Sequence, residues 1–284
     1  MALEKSVLDV DKVRELLITE YGLHLIGLYP LSLGTANCFK VCCNEGVYFF
    51  KEYPGSFTVP MVEKEVRLVE YLFSKGYPVA RFIDTLNGSC CILFSSHVIG
   101  VQEFVEGKTY LNDLPHPLLK ESAKYLGILH FLLKDYPMES GMDEKWVESY
   151  SPKTAAERYD RLLDTLEESR SDPNYHRIRE DLLFKRELSG QIEDMKTYYT
   201  GITYTPSHGD YTACQFICGE GSVKAVIDFS SAAALPTVWE IMRSYIQSCG
   251  ACRGGTAFDI EDFVLYVKEY DVGVKSSLMS APLL

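Results

Sequence analysis

The spacing of apolar residues along the chain changes character near residue 107. Before it, short apolar runs at 23–33, 38–43, 47–53, 89–94 and 97–104 are punctuated by glycine and turn residues and predict strands. Asn44-Glu45-Gly46 predicts a hairpin turn between the second and third runs, and Asn87-Gly88 marks the turn before the fourth. Two helices interrupt the strands. The first, 9–20, carries Val10, Val13, Leu16 and Leu17 at helical spacing, with Gly22 just beyond its end. The second, 61–74, carries Val62, Leu68, Val69, Leu72 and Phe73 and is stopped by Gly76-Tyr77-Pro78. After Gly107 the helical period dominates, over 118–133, 155–170, 179–199, 237–248 and 260–269, with a loop around Ser171-Asp172-Pro173. A β-rich stretch at 202–227 breaks this second half, and 276–284 reads as a small apolar tail. The expected class is therefore α+β, with strands concentrated in the first hundred residues.

Composition narrows the function. With 46% hydrophobic and 24% charged residues over 284 positions, the chain can bury a sizeable core and is not disordered. Its 28 basic and 40 acidic residues give a net charge of −12, which repels phosphate backbones and excludes nucleic acid as the expected partner. Neither a basic-then-apolar leader nor an apolar run of roughly 20 residues occurs, so no membrane partner is expected. The nine cysteines include the adjacent pairs Cys42-Cys43 and Cys90-Cys91, an arrangement suited to reduced thiols in the cytoplasm. Cys249 and Cys252 form a CxxC without a second ligand pair nearby, which does not make a structural zinc site.

The chemistry concentrates in Ser207-His208-Gly209-Asp210-Tyr211-Thr212-Ala213-Cys214-Gln215 and in Ile227-Asp228-Phe229. Two carboxylates and an amide oxygen at strand edges suit a hard divalent cation that bridges phosphates. Phosphoryl transfer needs that cation, and one carboxylate to orient and deprotonate the incoming hydroxyl.

These segments resemble the HGDxxxxN and IDF motifs of the aminoglycoside-phosphotransferase and choline-kinase superfamily. The resemblance implies a bilobal protein-kinase-like fold: an N-lobe antiparallel sheet with one helix over 1–101, a hinge at 102–107, and a mainly helical C-lobe over 108–284. It implies Asp210 as the catalytic carboxylate, and Gln215 and Asp228 as ligands of Mg²⁺. His208 and Gly209 would shape the loop. Lys51, at the end of the third strand, would contact the α- and β-phosphates of ATP and pair with Glu65, fourteen residues on. Thr35, in a loop with a single glycine, would reach a phosphate, and the backbones of Glu103 and Val105 would meet the adenine edge.

Two positions depart from the pattern. Gln215 stands where asparagine is usual, and Glu240 stands where an aspartate commonly braces the catalytic loop. Leu126-Gly127-Ile128-Leu129-His130 resembles the family's LxxLH helix, with His130 packed and hydrogen-bonded. The resemblance implies an ATP-dependent kinase acting on a small hydroxyl-bearing acceptor: an aminoglycoside, homoserine, choline, methylthioribose or another alcohol. It leaves open a non-catalytic nucleotide-binding or structural relative, which Gln215 favours.

Overall fold

The computed structural model of the chain describes residues 6, 8–31, 36–139, 151–191, 197–198, 201–253 and 258–280. Its N-terminal part is a five-stranded antiparallel sheet, ordered β1-β2-β3-β5-β4. The strands are β1 (Leu25–Leu31), β2 (Asn37–Cys43), β3 (Gly46–Glu52), β4 (Ile92–Phe94) and β5 (His97–Glu103). The turn at 44–45 fixes the β2–β3 register, pairing Cys43 with Gly46 and Cys38 with Lys51.

Helix α1 (Val10–Tyr21) is capped by Asp9, whose carboxylate accepts from the Lys12 N–H, and ends on Gly22 at φ 68°. It buries Val13, Leu16, Leu17 and Tyr21 against Val41, Phe50, Ile99 and Val101 of the sheet. Helix α2 (Val59–Ser74) buries Val62, Val66, Leu68, Val69 and Leu72, and one acid among them, Glu65. A carboxylate on an apolar stripe is costly unless it is paired, so Glu65 marks a polar purpose at that face.

The helical part begins with α3 (His116–Leu133). It packs along the last helix, α7 (Ile260–Ser280), through glycines that admit the partner's backbone. A Cβ on Gly127 would lie 2.1 Å from the Tyr270 carbonyl oxygen, and one on Gly273 would lie 2.0 Å from that of Lys124. Here the structure corrects the sequence reading. The last helix continues from 269 to Ser280, because Gly273 belongs to its packing face.

Between these helices lies the chemistry-bearing segment. It comprises a 3₁₀ turn (Ala213–Gln215), β7 (Phe216–Cys218), β8 (Val223–Val226) and a second 3₁₀ turn (Phe229–Ser231). Strands β7 and β8 pair antiparallel, and the Lys108 and Cys218 backbones exchange two 2.8 Å hydrogen bonds.

By contact density the chain divides into two compact units. All of the above lies in one, made of 1–136, 207–232 and 240–284. The other, 137–206 and 233–239, contains helices α4 (Pro152–Glu167) and α5 (Tyr175–Gly190). They are cross-linked by Arg186 on Asp160 and by the Tyr175 hydroxyl on Glu167. Helix α4 ends before the expected 170. A strand absent from the sequence reading, β9 (Ala233–Pro236), pairs with β6 (Tyr204–Ser207). It leads into α6 (Thr237–Ser248). Among the described residues no helix is long and apolar enough to cross a membrane.

Candidate active site

Strand β3 delivers Lys51 from a run of buried residues, and the ammonium is almost completely enclosed. Its Nζ donates to Asp228 Oδ1 at 2.9 Å and sits 4.3 Å from the centre of the Tyr53 ring. Glu65 is the second carboxylate to act on it. Burial opposes the charge on Lys51, but Glu65 and Asp228 outweigh it and raise its pKa above the ordinary lysine range. Glu65 itself accepts from the Tyr53 hydroxyl at 2.9 Å and from the Phe229 backbone N–H. Burial pushes its pKa up. Lys51 thus gives its hydrogen bond to Asp228, while Glu65 acts as a neighbouring charge fixed by Tyr53.

Asp228 occupies the left-handed region at φ 61°, which few residues other than glycine adopt without strain. Burial pushes its carboxyl up. The Lys51 ammonium and the Ser230 hydroxyl, 2.7 Å from Oδ1, more than reverse that and hold it down to about 2.

The loop bearing Asp210 is gripped from behind by a carboxylate. Glu240, only 1% exposed, accepts from the His208 N–H at 3.2 Å, the Gly209 N–H at 2.6 Å and His130 Nε2 at 2.8 Å. The Tyr270 hydroxyl lies 3.0 Å from His130 Nδ1 and completes the chain. Burial works against ionised Glu240, yet these donors lower its pKa below the usual carboxylate value. Gly209 is at φ 82°, and a Cβ there would fall 1.9 Å from the Ser231 carbonyl oxygen, so no other residue fits the close approach of the two loops.

His208 is fully buried against the Phe229 ring at 4.5 Å. Its Nε2 donates to the Ile227 carbonyl at 2.9 Å and its Nδ1 accepts from the Asp210 N–H at 3.3 Å. Both nitrogens are committed to backbone, which fixes the ring within the loop.

Asp210 presents its carboxylate 37% exposed. Gln215 Nε2 donates to Oδ2 at 3.0 Å, and Arg243 Nη2 to Oδ1 at 2.6 Å. The Gln215 backbone carbonyl accepts from the Ile227 N–H at 3.0 Å, tying the 3₁₀ turn that carries Gln215 to the segment that carries Asp228. Arg243 was not among the residues singled out from the sequence. The signal was present: it lies three residues after Glu240, one helical turn along the same face.

Lys51, Gln215 and Asp228 line one cavity of about 410 Å³. Its other walls include Glu103 at the end of β5 with Phe104 and Val105 after it, Phe49 of β3 with Tyr53 just beyond that strand, and Ile217 and Ile227. An apolar slot with a polar end of opposite charges suits a flat heterocycle carrying phosphates. Thr35 lies outside the described residues. Among the described residues no group of three or more His, Cys, Asp or Glu is set to hold a metal ion. The donors present, one carboxylate and one amide oxygen, match a magnesium ion that takes its remaining ligands from water and substrate phosphates.

No protein-family model and no curated protein matches the chain in sequence. Solved structures do. An amicoumacin kinase, determined in complex with AMP-PNP, Ca²⁺ and Ami, superposes with a TM-score of 0.66 at 14% identity over 95% of this chain and 78% of that one. A spectinomycin phosphotransferase with ADP and spectinomycin gives 0.57 at 15% identity over 97% and 88%. The macrolide 2'-phosphotransferase of Brachybacterium faecium gives 0.54 at 14% identity over 96% and 89%. The chain has the aminoglycoside-phosphotransferase fold. Within that fold, Lys51, Asp210, Gln215 and Asp228 come from separate elements, and the network through Glu240 and His130 sets the loop that carries Asp210.

Proposed function

We propose that this chain transfers the γ-phosphoryl group of ATP to a hydroxyl of a small acceptor, with Mg²⁺ as the metal and Asp210 as the catalytic carboxylate. The observation that carries the reading is the Lys51–Asp228 ion pair at one end of an apolar cavity, with Gln215 joining that cavity to Asp210. In this reading 1–101 form the nucleotide-binding lobe. Residues 102–107 are the hinge, with the Glu103 and Val105 backbones on the adenine, and 108–284 carry the catalytic and metal-binding loops. Thr35 contributes a phosphate contact, and the protein works in the cytoplasm, where its nine free thiols stay reduced.

Lys51, oriented between Glu65 and Asp228, steadies the α- and β-phosphates. Asp228 and the Gln215 amide oxygen would hold Mg²⁺, which would neutralise phosphate charge when bound. Asp210 accepts the hydrogen bond of the acceptor hydroxyl and aligns its oxygen with the γ-phosphorus. The new O–P bond forms as the bond from the γ-phosphorus to the β–γ bridging oxygen breaks. ADP leaves with that electron pair, and the hydroxyl proton passes to Asp210.

Catalysis is then chiefly positioning and charge stabilisation. The test is ADP formation from Mg·ATP across a panel of aminocyclitols, amino alcohols, hydroxy amino acids and sugars. Asp210→Asn should cut turnover by about 10²–10⁴-fold while nucleotide affinity stays within about twofold. Near-normal turnover in that variant would remove Asp210 from the role.

A second reading has its own support. Both oxygens of Asp210 already accept hydrogen bonds, and glutamine replaces the usual metal-binding asparagine. On that reading the protein binds Mg·ATP without turning it over, and no member of the panel releases ADP.

A further inference from the structure

Helix α6 does more than brace the loop. Glu240 and Arg243 are three residues apart and project from one helix face, and together they hold three consecutive loop residues. Glu240 takes the backbone N–H groups of His208 and Gly209, and Arg243 takes the Asp210 side chain at 2.6 Å. The helix is fixed in turn, since Glu240 is locked to His130 on α3 and through it to Tyr270 on α7.

A carboxylate offers about four acceptor positions. Arg243 uses one on Oδ1 and Gln215 one on Oδ2, so the plane of the group is set from both sides while each oxygen retains a lone pair for a hydroxyl. A partly exposed ion pair, here 31% and 37%, contributes little to stability. Its geometry matters to the group that must be aimed.

We propose that Arg243 is a positioning residue for phosphoryl transfer, holding the Asp210 carboxylate in the orientation that accepts the acceptor's proton. The proposal rests on the phosphotransferase reading. Removing the guanidinium leaves the Asp210 carboxylate, among the described residues, tethered by the Gln215 amide alone. The chemical step should suffer and nucleotide binding should not.

The experiment needs no identified acceptor. Phosphate release from Mg·ATP, with water as acceptor, is measured for the wild type, Asp210→Asn, Arg243→Ala and Arg243→Lys, together with KM for ATP and the melting temperature of each. Arg243→Ala is expected to lower kcat about 10- to 100-fold with KM for ATP within about twofold. Arg243→Lys should recover much of the loss, and added guanidinium ion at non-denaturing concentration should partly rescue the alanine variant.

Unchanged or raised kcat in Arg243→Ala, with an active wild type, overturns the proposal and leaves the phosphotransferase reading intact. So does a kcat loss that tracks melting temperature and that neither lysine nor guanidinium repairs, which is a structural role alone. A wild type whose phosphate release equals that of Asp210→Asn overturns the phosphotransferase reading, and this proposal with it.

Discussion

The loop at 207–210 has two faces, and they obey different rules. On its inner face, Glu240 at 1% exposure is surrounded by the His208 and Gly209 amides and His130, and these contacts are buried or nearly so. On its outer face, the Asp210 and Asp228 carboxylates are 37% and 39% exposed, and each is held by a single cation. Both faces carry a residue one methylene longer than the motif the sequence resembles, Glu240 inside and Gln215 outside. The extra length is absorbed on the inside by a network of fixed donors. On the outside it carries the amide to a hydrogen bond with Asp210. The contrast teaches that the inner face determines whether the loop exists, and the outer face determines what it does.

The sharpest way to break the comparison is Glu240→Ala. It strands two backbone N–H groups and a buried imidazole at once, and should cost about 3–5 kcal/mol of stability. Denaturant unfolding measures it, and a variant as stable as the parent would dissolve the distinction between the faces. Gly209→Ala is expected to do less to stability, about 1–2 kcal/mol for the left-handed backbone alone, plus the displacement needed to relieve a Cβ 1.9 Å from the Ser231 carbonyl oxygen. It should also lower turnover, because the loop that moves is the one bearing Asp210.

The smallest effect belongs to the outer face and depends on pH. Asp228 is held at about 2 against an ordinary 3.8, mainly because the Lys51 ammonium outweighs the effect of burial. A carboxyl depressed in the folded state contributes stability above its unfolded value, and that contribution is lost as pH falls from about 4 towards 2. Asp228→Asn should therefore lose less stability than the parent over that interval, seen as a shallower fall of the urea midpoint with acidification. The partial exposure of Asp228 keeps the difference small.

Much of this was legible in the sequence, for identifiable reasons. The period change at Gly107, the turn at Asn44-Glu45-Gly46 and the apolar stripe around Glu65 are local signals, and the structure places a sheet, a hairpin and a buried acid where they stand. The run at 207–228 drew attention because an Asp, an amide and a second Asp at strand edges have few uses that are not chemical. What escaped depends on contacts between distant segments. Lys51 meets Asp228 across 177 residues, a pairing that helical or strand spacing cannot express. The continuation of α7 to Ser280 escaped because Gly273 reads as a breaker until it is seen against the Lys124 carbonyl oxygen. Strand β9 is four residues long and ends in proline, too short to declare a period. Arg243 escaped because its partner, Asp210, lies 33 residues away in sequence, a contact the helix face it shares with Glu240 does not by itself declare.

The account stands on the cavity that joins Lys51, Gln215 and Asp228 being a site for magnesium and ATP. Isothermal titration of ATP into the protein, with and without Mg²⁺, tests this most directly when run beside Asp228→Asn. The expected result is saturable one-site binding that Mg²⁺ tightens in the parent, with the Mg²⁺ enhancement lost in the variant. Binding of equal strength in both proteins with and without the metal, or no binding heat in the parent at millimolar ATP, would contradict it.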